Sequence, residues 1–298
     1  MNIAVMGAGA VGAYFGGRFA RAGHQVTLIA RASHADAIAQ RGGLLLDSSE
    51  FSGVIPLKAV SEPSGVQGAD VILFCVKSSD TETAGAAMRP YLKPDASVIC
   101  LQNGVDNAER LSAVIGHEAV PAAVYVAAEM AGPGHVKHHG RGELIIGPSP
   151  RSEAIAREFT KAGVPTSVSD TVIAVQWEKL VLNCAYNALS AVSQLSYRRL
   201  FEIKDTREVI RNTVDECMAV ARALGIALPA DMFERTLALA TTIPNQLSST
   251  AQDLARNKPT EIDFLNGYVV RKGRETSVPT PTNLALQVMV KLRELGQQ

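Results

Sequence analysis

The sequence predicts an α/β fold in which a doubly wound parallel sheet, over residues 1–169, precedes an all-helical domain, over residues 170–298. Two observations support this prediction. Strand-like and helix-like segments alternate in the first half, which is typical of a parallel sheet covered by helices. Long periodic segments separated by prolines fill the second half, which is typical of a helical domain. The 298 residues are enough for two domains, each with its own core.

Short apolar runs in the first half have the character of strands buried on both faces of a sheet. We expect strands at Asn2–Met6, Gln25–Ala30, Val71–Val76, Ser97–Leu101 and Val120–Ala127. We expect helices at Val11–Ala22 and at Thr81–Leu92, the second one stopped by Pro94. His135–Ile146 follows the turn Gly132-Pro133-Gly134 and is expected to be an antiparallel excursion at the edge of the sheet.

The second half has a helical period throughout, and prolines mark the breaks between its segments. We expect helices at Val172–Val192, Thr206–Leu224, Asp231–Ala240, Leu247–Asn257, Glu261–Arg274 and about Thr282–Leu295.

Composition excludes several classes of function. The formal net charge is zero, so we expect neither a nucleic-acid partner nor an anionic membrane partner. The N-terminal sequence lacks the basic start and long apolar stretch of a signal peptide, and no apolar run is long enough to span a bilayer. The four cysteines lie in apolar stretches without a C-x-x-C pair, so we expect reduced core residues in a cytoplasmic protein.

Three histidines in the expected hairpin, His135, His138 and His139, raise the question of a metal site. Their spacing matches no established ligand pattern, and no cluster of cysteines or carboxylates accompanies them. We therefore expect exposed hairpin histidines and no metal.

The motif Gly7-Ala8-Gly9-Ala10-Val11-Gly12 is a G-x-G-x-x-G that directly follows a predicted strand and opens a predicted helix. The first two glycines allow a tight turn and the close approach of a pyrophosphate, and the third allows close packing of helix on strand. The helix N-terminus then presents N–H groups to the anion. This context favours a dinucleotide site over a glycine-rich turn without a ligand.

The end of the second strand indicates which dinucleotide is bound. An acid usually stands there in NAD-binding proteins, where it accepts a hydrogen bond from the ribose 2′-OH. This chain has Arg31 instead, and no acid occurs before Asp36. Since a guanidinium pairs with a 2′-phosphate, Arg31 favours NADPH. A solvated loop arginine is the alternative, but it leaves the missing acid unexplained.

Lys179, Asn183 and Asn187 stand at i, i+4 and i+8 and therefore share one helix face. Their neighbours are largely apolar, so we expect this face to be partly buried, where amide and ammonium groups need partners. A bound polar substrate would be such a partner. A solvated polar stripe is the other interpretation of the same spacing.

Thr260, Glu261 and Asp263 carry two interpretations that periodicity does not separate. Thr260 could cap a helix with Glu261 and Asp263 in its first turn, in which case Glu261 would simply stabilise the helix N-terminus. Glu261 could instead be a functional acid.

Several separated motifs together resemble the ketopantoate reductase family over nearly the whole chain. The matching pieces follow the family's order, and they are Gly7–Gly12, Val76-Lys77, Asn103-Gly104, the Lys179/Asn183/Asn187 helix, and Ser249 with Glu261-Ile262-Asp263 and Asn266-Gly267. The resemblance implies a Rossmann domain, a helical domain similar to that of 6-phosphogluconate dehydrogenase, and an active site in the cleft between them. It also implies the reduction of 2-dehydropantoate to (R)-pantoate with NADPH, on the route to pantothenate and coenzyme A.

The resemblance implies a role for several of the matching positions. Lys179 is the general acid that protonates the ketone oxygen. Asn183 and Asn187 orient the substrate, Ser249 holds its carboxylate, and Glu261 receives its hydroxyl and helps to place the lysine. Lys77 and Asn103 lie at the junction of cofactor and substrate.

Two other functions remain open at this point. The first is NADPH-dependent reduction of another branched 2-keto acid, since relatives of the family share these residues and differ in substrate. The second is a regulator that senses NADPH without turnover, against which the presence of both Lys179 and Glu261 argues. Because the sequence shows no exposed heptad pattern, the helical domain is only a candidate interface for a homodimer.

Overall fold

The computed structural model of this chain describes residues 1–297. It divides into two compact units, Met1–Val172 and Ile173 onward. The first unit is a mixed α/β structure and the second is helical, as the sequence predicts.

A ten-stranded sheet forms the centre of the first unit, in the order β4-β3-β9-β8-β7-β6-β1-β2-β5, with β10 paired to β9. Its strands are β1 (Asn2–Met6), β2 (Gln25–Ile29), β3 (Leu44–Asp47), β4 (Ser52–Ile55), β5 (Lys58–Val60), β6 (Val71–Phe74), β7 (Ser97–Cys100), β8 (Ala119–Gly132), β9 (His135–Ile146) and β10 (Thr166–Val168).

Six of these strands, in the order β5-β2-β1-β6-β7-β8, are parallel and have the doubly wound 3-2-1-4-5-6 arrangement. The strand order reverses between β1 and β6. Ligands bind at such a reversal, outside the carboxyl ends of the strands, so the fold predicts where a cofactor would lie.

Five helices accompany this sheet: α1 (Ala10–Arg21), α2 (Ala32–Arg41), α3 (Thr81–Met88), α4 (Asn107–Ile115) and α5 (Ser152–Lys161). Side chains of β1 alternate between two cores, because Ile3 and Val5 pack on one face of the sheet, and Ala4 and Met6 on the other. Burial on both faces explains why the parallel strands are continuous apolar runs.

The second unit contains α6 (Val172–Ser193), α7 (Tyr197–Leu200), α8 (Thr206–Ala223), α9 (Met232–Thr242), α10 (Ser249–Ala255), α11 (Asn266–Glu275) and α12 (Pro281–Leu295). The first of these, α6, carries the fully buried Trp177 and Tyr186. A smaller apolar cluster joins Ala188 of α6, Ala251 of α10 and Leu286 of α12. None of the helices within residues 1–297 has both the length and the apolar character needed to cross a membrane.

Three predictions about elements were wrong. The strand at His135–Ile146 has the expected bounds but not the expected place, since β3 and β4 continue the sheet beyond it. The helix at Thr81 ends at Met88, before Pro94, because Pro90 lies in a 3-10 turn and cannot continue an α-helix. The helix expected from Glu261 begins only at Asn266, after a 3-10 turn at Ile262–Phe264.

Candidate active site

The glycine motif forms a tight loop at the carboxyl end of β1. Gly7 has a φ of +95°, which favours glycine. The backbone N–H groups of Gly7 and Ala8 both donate to the carbonyl of Ile29, at 3.0 and 2.9 Å, so the loop is attached to the end of β2. A Cβ at Gly7 would lie 2.7 Å from the backbone nitrogen of Val76, so the loop also packs directly against the chain that follows β6.

The other two glycines of the motif have opposite surroundings. A Cβ at Gly12 would lie 2.5 Å from the Gly7 carbonyl oxygen and 2.8 Å from Val5, so Gly12 allows α1 to pack on β1. A Cβ at Gly9 would have nothing within 4 Å among residues 1–297. Gly9 is exposed and precedes the first turn of α1, whose N–H groups have no acceptor within their own helix. This open N-terminus fits the pyrophosphate of a dinucleotide.

Arg31 stands two residues beyond β2 and is the N-terminal cap residue of α2. Its carbonyl accepts from the N–H groups of His34 and Ala35, and its side chain is exposed. His34 is engaged elsewhere, since its Nδ1 accepts a 3.1 Å hydrogen bond from the Gly134 N–H. Arg31 is therefore an accessible cation at this end of β2, where the ribose of a dinucleotide would lie.

Lys77 and Asn103 lie in equivalent positions after neighbouring strands. Phe74 of β6 pairs with Cys100 of β7, and each of the two residues follows its strand by three positions. Ser78 then joins the two segments, because its Oγ donates to the Asn103 carbonyl at 3.1 Å. Lys77 is exposed and Asn103 is half-buried. The structure thus brings these two predicted site residues to one edge of the sheet.

The hairpin histidines have three separate partners. His135 Nε2 lies 2.6 Å from Asp47, His138 Nε2 lies 2.6 Å from the Arg141 carbonyl, and His139 Nε2 lies 3.1 Å from Glu129. His138 also stacks on the ring of Tyr14, with centroids 4.2 Å apart. Within the described 297 residues, no group of three or more histidine, cysteine or acidic residues is arranged to hold a metal.

In the second unit, α6 carries Lys179, Asn183 and Asn187 on one face, and burial increases along it. Lys179 and Asn183 are half-buried, and Asn187 is 2% exposed. This burial disagrees with a solvated stripe. The Nδ2 of Asn187 has no hydrogen-bond partner among residues 1–297. Buried amide donors are rarely left unpaired, so this donor is a candidate for a hydrogen bond to a ligand oxygen or a water molecule.

Ser249 is the first residue of α10 and is exposed. Ser248, which precedes it, attaches this helix end to α6. Its Oγ accepts from the Ala251 N–H at 3.0 Å and donates to the Asn187 carbonyl at 3.2 Å, while its own N–H donates to Ser190 Oγ at 3.2 Å. Ser249 is thereby held near Asn187. The role of Ser248 was not predicted from the sequence, although a serine before a helix is a typical N-cap.

Glu261 is half-buried and precedes the 3-10 turn, five residues before α11 begins. It is therefore not in the first turn of an α-helix. Thr260 does not cap α11 either, since its N–H and its Oγ1 both donate to Glu294, at 2.8 and 2.6 Å. Ile262, next to Glu261, packs in the cluster that contains Ala188 of α6 and Ala251 of α10. The segment bearing Glu261 thus meets the two helices that carry Asn187 and Ser249.

Asp263 and Asn266, which also belong to the matching motifs, have structural partners. Asp263 accepts from Gln287 at 2.7 Å and from Lys291 at 2.9 Å. Burial raises the pKa of Asp263, but these two hydrogen bonds outweigh it and hold the pKa below its ordinary value. Asn266 Nδ2 donates to the Cys184 carbonyl at 3.1 Å, which fastens the start of α11 to α6 beside Asn183.

Comparisons with known proteins agree across both units. The family described as "Ketopantoate reductase PanE/ApbA" matches residues 3–151, and "Ketopantoate reductase PanE/ApbA C terminal" matches residues 171–294. A 2-dehydropantoate 2-reductase of Vibrio cholerae is 32% identical over 301 residues, covering 99% of this chain and 98% of the relative.

Solved structures extend this likeness. A PanE/ApbA family ketopantoate reductase from Ralstonia eutropha JMP134 has a TM-score of 0.97 and 52% identity, with both chains covered completely. A D-mandelate dehydrogenase in complex with NADH and anilino(oxo)acetate has a TM-score of 0.93 and 25% identity, covering 100% of this chain and 99% of the other. With matches over both of its units, this chain belongs to the ketopantoate reductase family.

Proposed function

We propose that this chain reduces 2-dehydropantoate to (R)-pantoate with NADPH. The observation that carries the proposal is the buried, unpaired Nδ2 donor of Asn187 on the same helix face as Lys179, within residues 1–297 of a ketopantoate reductase family member. A donor of this kind suits a substrate oxygen, and the ammonium group beside it suits an oxygen that becomes negatively charged.

The first unit is proposed to hold the cofactor. The open N-terminus of α1 beyond Gly9 would receive the pyrophosphate, and Arg31 would pair with the 2′-phosphate. Lys77 and Asn103, on the neighbouring strand ends, would adjoin the nicotinamide end. When bound, NADPH supplies the hydride that reduces the C2 carbonyl of the substrate.

The second unit is proposed to supply the groups that act on the substrate. Lys179 donates a proton to the ketone oxygen, and its charge stabilises the transition state more than the ground state, because negative charge develops on that oxygen. Asn183 and Asn187 orient the keto acid, and Ser249 binds its carboxylate. Glu261 accepts a hydrogen bond from the substrate hydroxyl, which a simple keto acid lacks.

A second candidate is the reduction of a different 2-keto acid. The likeness to a D-mandelate dehydrogenase that binds anilino(oxo)acetate favours it, because that ligand carries a carbonyl group next to its carboxylate, as a 2-keto acid does. The same relative binds NADH, so the preference for NADPH needs its own test. An NADPH sensor without turnover is the third candidate. A protein that only binds NADPH would require neither Lys179 nor Glu261, so their presence argues against it.

One experiment separates these candidates: the loss of NADPH or NADH absorbance with a panel of 2-keto acids. We expect 2-dehydropantoate to exceed 2-ketoisovalerate in kcat/KM by orders of magnitude, because a site built to bond a hydroxyl rejects an analogue that lacks it. We expect Arg31→Ala to raise the KM for NADPH much more than that for NADH. Equal kcat/KM values for 2-dehydropantoate and 2-ketoisovalerate would favour the second candidate. Equal use of NADPH and NADH by the wild type would refute the NADPH preference. The absence of any turnover would favour the sensor.

A further inference from the structure

A buried polar cluster lies directly behind Lys77 and Asn103. We call it the carboxyl-edge cluster. Its buried members are Ser78, Thr81, Gln102 and Asn107, and Arg110 and the exposed Glu82 lie at its rim. Ser78 and Thr81 are fully buried, Asn107 is 3% exposed and Gln102 is 6% exposed. Polar side chains are costly to bury unless they are hydrogen-bonded, so such a concentration needs a physical explanation.

Asn107 is the centre of this cluster. Its Nδ2 donates to the carbonyl of Asn103 at 2.6 Å and to Ser78 Oγ at 3.1 Å. Ser78 Oγ in turn donates to the same Asn103 carbonyl at 3.1 Å. The backbone of Asn103 is therefore held by two buried side chains, one of which immediately follows Lys77.

Thr81 and Gln102 close the cluster from the side of α3. Gln102 Nε2 donates to Thr81 Oγ1 at 2.8 Å. The single hydroxyl proton of Thr81 has two acceptors within reach, the Ser78 carbonyl at 3.1 Å and Asn107 Oδ1 at 3.2 Å. Both neighbours of the predicted site residues, Ser78 after Lys77 and Gln102 before Asn103, thus lie within hydrogen-bond distance of the same hydroxyl.

Arg110 links the cluster to a carboxylate at its rim. Its Nε and Nη2 each donate to an oxygen of Glu82, at 2.7 Å. On the side of the cluster, its Nη2 also donates to the Ser78 carbonyl at 2.9 Å, and its Nη1 donates to Asn107 Oδ1 at 3.1 Å. The hydrogen bonds from Arg110 hold the pKa of Glu82 below its ordinary value. The carboxylate therefore stays charged to a lower pH than an isolated glutamate would, and its two hydrogen bonds keep the guanidinium in place.

We propose that the carboxyl-edge cluster sets the spacing of Lys77 and Asn103, which makes Ser78 and Asn107 positioning residues for the reduction. The inference rests on the proposed function, which gives Lys77 and Asn103 their place beside cofactor and substrate. Residues 101–106 form neither helix nor strand, so the backbone ladder does not fix Asn103 and the side chains of the cluster do. Displacement of a reacting group by about 1 Å can cost about 10²-fold in rate.

Ser78→Ala and Asn107→Ala test this proposal, and Ser152→Ala is the matched control. Ser152 is 1% exposed and its Oγ donates to the Gly147 carbonyl at 2.7 Å, so the control also removes a buried hydroxyl bonded to a backbone carbonyl of the first unit. Its neighbour Arg151 donates to the carbonyls of Asp70 and Asp95, which precede β6 and β7 at the opposite edge of the sheet. Kinetic constants, NADPH affinity and melting temperature are measured for each variant.

We expect kcat/KM for the keto acid to fall about 10- to 100-fold in Ser78→Ala and further in Asn107→Ala, mainly through kcat. Ser152→Ala should lose a similar amount of thermal stability and keep its kinetic constants. If all three variants lose stability and none loses kcat/KM, the cluster is only structural and the proposal fails. Should Asn107→Ala not fold, the comparison of Ser78→Ala with Ser152→Ala decides alone.

Failure of the proposed function would look different. In that event the wild type reduces none of the tested keto acids with NADPH or NADH. The cluster is then judged by fluorescence titration with NADPH. A weaker affinity in Ser78→Ala than in Ser152→Ala would support a positioning role at the cofactor, and equal affinities would overturn it.

Discussion

Lys179 stands at the less buried end of the polar face on α6, four residues from Asn183. We expect Lys179→Ala to reduce turnover by about 10²–10⁴-fold, which is typical of the loss of a positioned proton donor. NADPH should still bind, because the glycine loop and Arg31 belong to the other unit. Steady-state kinetics and fluorescence titration with NADPH measure the two effects separately.

Lys272→Ala is the matched control for this substitution. Lys272 lies on α11 of the same unit, and its Nζ pairs with Glu275 at 2.7 Å in a surface ion pair of the kind that contributes little to stability. It should leave turnover unchanged. Normal turnover in Lys179→Ala itself, with unchanged melting temperature, would remove the lysine from the proposed mechanism.

Gly9 and Gly12 allow the proposed cofactor site to be tested without a measurement of activity. Gly9→Ala should leave the melting temperature almost unchanged, because its methyl group meets nothing within 4 Å among residues 1–297. It should weaken NADPH binding about tenfold or more, since that space is where a pyrophosphate would approach. Gly12→Ala should instead destabilise the fold by about 1–3 kcal/mol, because its Cβ would overlap the Gly7 carbonyl.

Calorimetry and NADPH titration of both variants distinguish these expectations. Gly9→Ala that binds NADPH as tightly as the wild type would argue against a dinucleotide at this helix end. Gly12→Ala with an unchanged melting temperature would argue against the close packing of α1 on β1.

Among single residues, sequence patterns predicted site residues that lie within one segment and missed residues whose hydrogen-bond partners lie far away along the chain. The glycine motif and the Lys179/Asn183/Asn187 face were visible because each lies within one segment. Asn107 and Ser248 were not, because their partners lie 29 and 61 residues away, at Ser78 and at Asn187. The sequence alone does not show which asparagine or serine has a structural role, because that role depends on a hydrogen-bond partner that only the fold reveals.

At the scale of elements, the segment after Pro259 shows how a helix prediction fails. Its composition suits a helix, but Thr260 is bonded to Glu294 of α12 and Leu265 has a ψ of −103°, so the chain turns before α11 begins. Tertiary hydrogen bonds to α12 overrode local propensity here. The short strands β3, β4, β5 and β10 were also missed, since three or four residues are too few to show a period. The equally short β6 and β7 were predicted because each is part of a longer apolar run, Val71–Val76 and Ser97–Leu101.

The attachment of this segment to α12 should depend on pH. Asp263 has a lowered pKa, because the hydrogen bonds from Lys291 and Gln287 outweigh the effect of its burial. A carboxyl group whose pKa is lowered by folding stabilises the folded protein at pH values above its ordinary pKa, here 3.8. That contribution is lost as the pH falls through the pKa of the folded state. Asp263→Asn should therefore be less stable than the wild type at neutral pH, and the difference should shrink as the pH falls below about 4.

Urea unfolding of the two proteins at several pH values measures this difference. Midpoints that stay equally far apart from neutral pH to about pH 3 would show that Asp263 does not contribute through its charge.

At the scale of the whole molecule, the class of each half was predictable from periodicity, whereas the order of strands was not. Alternating strands and helices identified the parallel sheet, and the glycine motif identified its first strand. No periodicity reveals that β3, over Leu44–Asp47, pairs with β9, which begins at His135, because the two are about 90 residues apart along the chain. The hairpin was accordingly expected at an edge that β3 and β4 in fact extend.

The pairing of β3 with β9 has a consequence for folding while the protein is being synthesised. When the ribosome has released residues 1–118, the strands β1, β2, β5, β6 and β7 have all emerged, but β3 and β4 still lack their neighbour in the sheet. Until β9 arrives, this two-stranded piece presents an open edge, which is a template for pairing with other chains. A nascent chain with residues 1–118 outside the ribosome should need chaperone protection that a chain with residues 1–168 outside the ribosome does not.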